Sequence, residues 1–152
     1  MSYTLCRMTE ADAPLTIDWM VRQYGFDRRE VEEWGRTLKF NWPLSVKAID
    51  DKGDVIGLLN MSDYRIEEET AQIKQDAPEL LDRLNRQRYT AVFSFIVRED
   101  YRGTRLNYDM LMEIMPELKA GYDFLFIPVM HRLKTHAYWK RWGAREFYRD
   151  TD

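Results

Sequence analysis

The sequence predicts a single α/β domain over residues 1–152, built as one mixed β-sheet covered by helices. Three observations predict it. A chain of 152 residues that is 45% hydrophobic can bury one core and is short for two. Apolar runs of strand character alternate with stretches of helical spacing along its length. An early hairpin signal makes antiparallel neighbours, whereas a strand–helix–strand crossover, which makes parallel ones, occurs only in the second half.

Taken in order, residues 3–8 read as a short strand. Thr9 stands three before Asp12 in an approximate capping arrangement, opening a helix with Ala13, Ile17, Met20, Val21 and Tyr24 on one face. Asp27 and Glu30 match the capping box more closely, and Val31, Trp34 and Leu38 repeat at helical spacing until Asn41-Trp42-Pro43 breaks the pattern. Ser45–Ile49 and Asp54–Asn60 are strand-like runs joined by Asp50-Asp51-Lys52-Gly53, whose polar residues and glycine suit a hairpin. A charged helical insertion follows at about 65–88, with Ile73, Ala77, Leu80, Leu81 and Leu84 at helical spacing. It reads as one broken or two short helices, the second starting at Pro78.

Tyr89–Val97 is the strongest strand signal. Leu106, Met110, Leu111, Ile114, Met115 and Leu118 then mark a helical face ending near Gly121. Tyr122–Val129 reads as a strand, Leu133–Trp142 as a helix closed by Gly143, and Ala144–Tyr148 as a final short strand.

Composition narrows the function. A net charge of -3 gives no drive toward nucleic acid or an anionic membrane, so neither is an expected partner. No run approaches the roughly 18 apolar residues of a membrane span, and the first residues lack the order of a signal peptide, so a cytoplasmic location is expected. Cys6 is the sole cysteine and His131 and His136 the only histidines, so no internal disulfide and no metal site is expected.

The segment FSFIVREDYRGTRLN places an apolar strand, a turn with arginine and glycine, and the first turn of a helix in succession. Such a junction binds anions: helix-start amides lack intrahelical partners, the helix dipole is positive there, and Gly103 permits close backbone approach. Arg98, Arg102 and Arg105 add cationic donors. The same strand–turn–helix also occurs in many α/β proteins without a ligand.

This segment resembles the GNAT superfamily of acyl-CoA N-acyltransferases, whose signature is Arg or Gln, two residues, Gly, one residue, then Gly or Ala. In that register stand Arg102, Arg105 and Asn107, with larger residues at both glycine positions. THAYWKRWGAREF is similar to the family's late helix, in which an aromatic pair, here Tyr138 and Trp139, precedes three residues and a closing glycine, here Gly143. The two segments and the order between them cover about residues 90–148.

The resemblance implies a GNAT-like splayed sheet, with acetyl-CoA or another acyl-CoA as cosubstrate. Its pantetheine arm is expected along the backbone of Phe95, Ile96 and Val97, and its pyrophosphate among Arg102, Gly103, Thr104, Arg105, Leu106 and Asn107. Arg105 and Asn107 then either donate to phosphate or fill its volume. The resemblance further implies acyl transfer to a primary amine of a small molecule or protein, with a main-chain N–H near Ile96 or Val97 steadying the oxyanion. The family's acid is a tyrosine at the position of Trp139, so Tyr138 is the nearest substitute, with a core aromatic as the other reading.

For the base, Glu99, Asp100 and Asp63 are candidates, against an ordinary reading as solvated charges. Arg132 and Lys134, beside His131 and His136, either meet the adenosine 3'-phosphate or solvate a helix. Trp19, Trp34 and Trp42 either shape an acceptor pocket or pack in the core. The insertion is expected to roof the acceptor site or to form a homodimer contact, and a second subunit is one way to complete the acceptor side. The functional alternative to a transferase is a degenerate, non-catalytic acyl-CoA-binding or protein-interaction module on the same fold.

Overall fold

The strand-forming runs pair in the order in which they occur. β1 (Tyr3–Arg7), β2 (Val46–Asp50), β3 (Val55–Ser62), β4 (Tyr89–Val97) and β5 (Phe124–Phe126) make one sheet of order β1-β2-β3-β4-β5. Successive pairs from β1 to β4 are antiparallel, and β4 and β5 are parallel. A helix joins that parallel pair, as the crossover pattern requires. The structure, a computed structural model, describes residues 2–37, 39–129 and 135–150.

Helices α1 (Ala13–Tyr24), α2 (Arg28–Thr37), α3 (Ile66–Glu69), α4 (Ile73–Asp76), α5 (Pro78–Asn85), α6 (Leu106–Gly121) and α7 (His136–Arg141) cover the sheet. Strand alternation assigns the faces. On one side Leu59 and Val97 join Leu106, Met110 and Ile114 of α6 and Trp139 of α7. On the other, their neighbours Leu58 and Ile96 meet Trp19 and Met20 of α1 and Val31 of α2. A third cluster packs Ile66, Ile73 and Leu81 of the insertion against Tyr89, Ala91 and Phe126. Helix α6 lies close to the sheet because Gly57 has no side chain: a Cβ there would stand 2.9 Å from Met110 Sδ.

The capping signals correspond to real helix starts. The Thr9 amide donates to Asp12 Oδ2 at 2.9 Å across a 3₁₀ turn ahead of α1, and the Glu30 amide donates to Asp27 Oδ1 at 3.2 Å ahead of α2. In the hairpin, the Lys52 and Asp54 amides both donate to Asp50 Oδ1, each at 2.9 Å.

Four expectations change. The most buried residues of α1 are Thr16, Trp19 and Met20, with Ile17, Val21 and Tyr24 of the expected face partly buried in the same cluster. The insertion forms three short helices rather than one or two. The expected strand over 122–129 contracts to three residues, paired only from Tyr89↔Phe124 to Ala91↔Phe126. Residues 144–148 form no strand: Phe147 packs on Phe126 with centroids 5.9 Å apart, and the Tyr148 hydroxyl donates to Asp76 at 2.7 Å. Tyr148 thus ties the segment to the insertion, and Phe147 packs on a β5 side chain without pairing to the edge of that strand. Leu38, at the expected end of α2, and residues 130–134, which hold His131, Arg132, Leu133 and Lys134, lie outside the described residues.

Candidate functional site

The site originates in a bulge. Asn60 pairs with Ser94 and Met61 with Val92, so Phe93 is an extra residue in β4. A bulge bends its strand and increases the local twist, and just there β4 parts from β5. The pair diverges beyond Ala91, with Ile127 and Pro128 continuing from β5 on the far side of the gap. Proline supplies no N–H with which to re-form the ladder. A groove of about 960 Å³ opens between the two segments.

One wall of that groove is β4 itself from Val92 to Val97, which includes Phe95, Ile96 and Val97. β3 pairs with these three through Leu59, Leu58 and Gly57, on the edge away from the groove. The opposite edge of β4 is left without a strand partner among the described residues.

The turn after β4 forms the mouth. Glu99–Tyr101 makes a 3₁₀ turn with Tyr101 buried, and Gly103 follows at φ 75°, a left-handed conformation that disfavours any side chain. The Leu106 amide donates to Thr104 Oγ1 at 3.3 Å, and Thr104 Oγ1 donates to the Tyr101 carbonyl at 2.6 Å, fixing the start of α6. Arg102 reaches the Val97 carbonyl through Nε and Gln23 Oε1 through Nη2, both at 3.4 Å, so its guanidinium is only lightly committed.

Neither of the two larger signature residues fills the junction. Arg105 turns outward with its side chain 74% exposed, pairing with Asp109 at 3.0 Å and stacking over Tyr108 at 4.7 Å. Asp109 is in turn hydrogen-bonded to the Tyr3 hydroxyl. Asn107 lines the groove and donates from Nδ2 to the Tyr138 hydroxyl at 3.3 Å. That bond joins the first turn of α6 to α7. Trp139 is buried with its ring 6.1 Å from that of Phe95, while the half-exposed Tyr138 carries its hydroxyl to Asn107.

The inner end of the groove is aromatic and acidic. Phe26, Trp34, Phe93 and Tyr64 meet edge to face, Trp34 and Phe93 at 6.4 Å and 89°. Trp34 thus lines the groove, whereas Trp19 is buried and Trp42 packs on Phe40. Glu68 and Glu69 reach the same end from α3. Glu69 is solvent-exposed on one side and crowded by protein on the other. The crowding pushes its carboxyl above the usual range, the Tyr64 hydroxyl opposes that shift, and Asp150 reinforces it. The Tyr64 hydroxyl itself is buried, faces Glu69 and has no hydrogen bond of acceptable geometry; burial pushes its pKa up.

The carboxylates singled out in the sequence lie elsewhere or are engaged. Asp100 holds Arg98 at 2.7 and 2.9 Å, and that pairing keeps its pKa low. Asp63 accepts from Thr90 Oγ1 at 2.8 Å and from Asn41 Nδ2 at 3.2 Å, and neither it nor Glu99 lines the groove. Glu69 was the residue that sequence reasoning missed. It sits in a run of three glutamates, and only the docking of α3 brings it, with Glu68, to the groove. No group of three metal-ligating side chains that could hold an ion occurs among the described residues, nor any helix long and apolar enough to cross a membrane.

A mixed five-stranded sheet with its parallel pair splayed after a bulge is the fold this chain shares with solved acetyltransferases, among them one of the GNAT family. The particular structures it matches span its length. They include a ribosomal-protein-alanine N-acetyltransferase from Brucella melitensis biovar Abortus 2308, at 12% identity and TM-score 0.63, covering 100% of this chain and 97% of the other. Glucosamine-6-phosphate N-acetyltransferase from Arabidopsis thaliana matches at 8% identity and TM-score 0.60, covering 100% and 97%. A GNAT-family acetyltransferase from Xanthomonas campestris pv. campestris matches at 13% identity and TM-score 0.57, covering 96% and 86%. No family model matches the sequence, and no curated protein does. Identity this low speaks for the fold alone.

Proposed function

We propose that the protein is an acyl-CoA-dependent N-acyltransferase that moves an acetyl or similar acyl group to a primary amine. The observation that carries this reading is the parting of β4 from β5, which leaves one strand edge and a groove of about 960 Å³ beside a helix start. A pantetheine arm bears two amides, and an open strand edge is the backbone's natural partner for amides. The cosubstrate would lie along Phe95, Ile96 and Val97, with its pyrophosphate at the turn Arg102, Gly103, Thr104, Arg105, Leu106 and Asn107. The left-handed Gly103, the first-turn amides of α6 and the lightly held Arg102 suit an anion there.

Three functions then have owners. A backbone N–H near Ile96 or Val97 faces the developing oxyanion. The Tyr138 hydroxyl, positioned by Asn107, donates a proton to the departing sulfur. The amine enters from the aromatic end. Arg105, turned out to Asp109, leaves the phosphate volume open, which favours this reading over a closed, non-binding module.

The first test is the melting temperature with and without acetyl-CoA. At about a hundred times the dissociation constant the ligand adds roughly 2.7 kcal/mol to the folded state, a rise of about 5 to 10 °C. No rise at millimolar acetyl-CoA would overturn the reading.

A further inference from the structure

We propose that the inner end of the groove is an acceptor subsite for a small primary amine carried on an aromatic or similarly flat apolar group, with Glu69 receiving its ammonium. This rests on the acyltransferase reading and names the substrate class for that same site.

Two independent features point to such a ligand. The first is an unfinished polar arrangement. The Tyr64 hydroxyl, in a residue 1% exposed, and the Ser94 hydroxyl, in one 3% exposed, line the groove and are buried without a hydrogen-bond partner. Ser94 faces Tyr24, and Tyr64 faces Glu69. Each hydroxyl thus has one poorly aligned neighbour, and the Tyr64 oxygen keeps lone pairs for a further donor. An ammonium brings three N–H donors and no acceptor, which suits a hydroxyl oxygen and a carboxylate side by side. The charge that Asp150 adds near Glu69 is of the same sign, so a cation relieves the local repulsion.

The second feature is the apolar lining. Phe26 and Trp34, whose centroids lie 5.2 Å apart, and Phe93, raised into the groove by the bulge, offer ring edges and faces to whatever carries the amine. Flat apolar groups gain most from such surfaces, and the cation is attracted to the same rings. A polar carrier such as a sugar would leave its hydroxyls unpaired against Phe26, Trp34 and Phe93. Because acyl-pantetheine shares the groove of about 960 Å³, the remaining space favours a small molecule over a polypeptide.

The reaction balances with these groups. One ammonium proton passes to Glu69, and the freed lone pair attacks the thioester carbonyl carbon. The C–N bond forms and the C–S bond breaks, its electron pair staying on sulfur. A second proton from nitrogen reaches that sulfur, directly or through Tyr138, and Glu69 releases its proton to water. An ammonium and a thioester thus become an amide, a thiol and a proton.

The experiment compares 2-phenylethylamine, ethanolamine and a tetrapeptide with a free amino terminus, following thiol release from acetyl-CoA. Acetyl-CoA affinity is measured separately by calorimetry. The proposal expects kcat/KM for 2-phenylethylamine to exceed the others at least tenfold. Tyr64→Phe should raise the amine KM severalfold without moving the KM for acetyl-CoA. Glu69→Gln should lower kcat by about 10²- to 10⁴-fold with acetyl-CoA affinity intact. Preference for ethanolamine or the peptide, or acetyl-CoA binding without turnover of 2-phenylethylamine, overturns the substrate class and leaves the cosubstrate reading standing. Unchanged kcat in Glu69→Gln overturns the assignment of Glu69. Failure of the wild-type protein to bind acetyl-CoA overturns both readings together.

Discussion

Tyr138 and Trp139 are adjacent, yet the helix sends them to different places. Successive residues of an α-helix point about 100° apart, so burial of Trp139 against Phe95 leaves Tyr138 free to face the first turn of α6. Tyr138→Phe keeps the ring packing and deletes only the hydroxyl. We expect kcat to fall by about 10²- to 10⁴-fold, with the calorimetric affinity for acetyl-CoA unchanged. A kcat within twofold of wild type would return Tyr138 to the packing role. Arg102 makes the complementary case. Its two bonds are both 3.4 Å long, so the fold draws little stability from it and a charged ligand has much to gain. Arg102→Ala should weaken acetyl-CoA binding by about 1.5 to 3 kcal/mol, roughly tenfold or more, with the apo melting temperature nearly unmoved. Equal affinity would remove the pyrophosphate from this turn.

At the scale of elements, α1 is anchored to the sheet by one carboxylate. Asp12 accepts from the Thr9 amide at 2.9 Å and from Lys47 Nζ of β2 at 2.8 Å, its side chain 15% exposed. Burial alone would raise its pKa, but the Lys47 ammonium and the Thr9 amide outweigh that and hold it below the usual carboxylate range. A carboxylate depressed in the folded state stabilises above its unfolded pKa, near 3.9, and loses that contribution as pH falls through the folded value. Asp12→Ala should therefore cost about 1 to 2 kcal/mol at pH 7, measured by urea denaturation. The ionic part of that difference should vanish at the acid end; a gap unchanged down to pH 2 would mean that the charge contributes nothing.

Elements were legible where one physical pattern decided them. β4 is bounded as its apolar run implies, and α6 ends where its spacing ends, at Gly121. The fate of Ala144–Tyr148 was not legible. Its strand-like composition is real, but Tyr148 finds Asp76 and Phe147 finds Phe126, partners more than twenty residues away that no local pattern announces. The contraction of β5 has the same origin, because a bulge in β4 decides where its neighbour can pair. In the candidate site, the turn was legible as a strand–turn–helix junction and Tyr138 was an expectation carried by the family resemblance, whereas Glu69 gains its place only when α3 docks.

Across the whole molecule, β4 divides the sheet into two regimes. Ala91 has strand partners on both edges, Tyr89 and Thr90 on the β5 side, and Phe95–Val97 on the β3 side. Backbone groups without a partner exchange hydrogen readily. The Phe95 amide meets the Tyr24 hydroxyl, so it is the groove-facing amide of Val97 that should exchange faster than that of Ala91, and saturating acetyl-CoA should slow it selectively, as read by hydrogen-exchange mass spectrometry. Uniform exchange along β4, insensitive to the ligand, would contradict the strand-edge mode of binding. The three clusters bear on the same point, since α6 and the α1–α2 pair brace opposite faces of the outer part of β4 while the insertion packs on Tyr89 and Ala91.

The rings that line the inner end of the groove do not stop there. Tyr24, Phe26, Trp34, Phe93, Tyr64, Phe126, Tyr89 and Phe124 follow one another at centroid distances of 4.8 to 6.5 Å, from the first helix to the last strand. Chromophores this close couple optically, so the groove carries its own spectroscopic antenna. An amine seated beside Trp34 would perturb the near-ultraviolet circular dichroism of the whole series, and acceptors could be screened by light alone, before any turnover is detected.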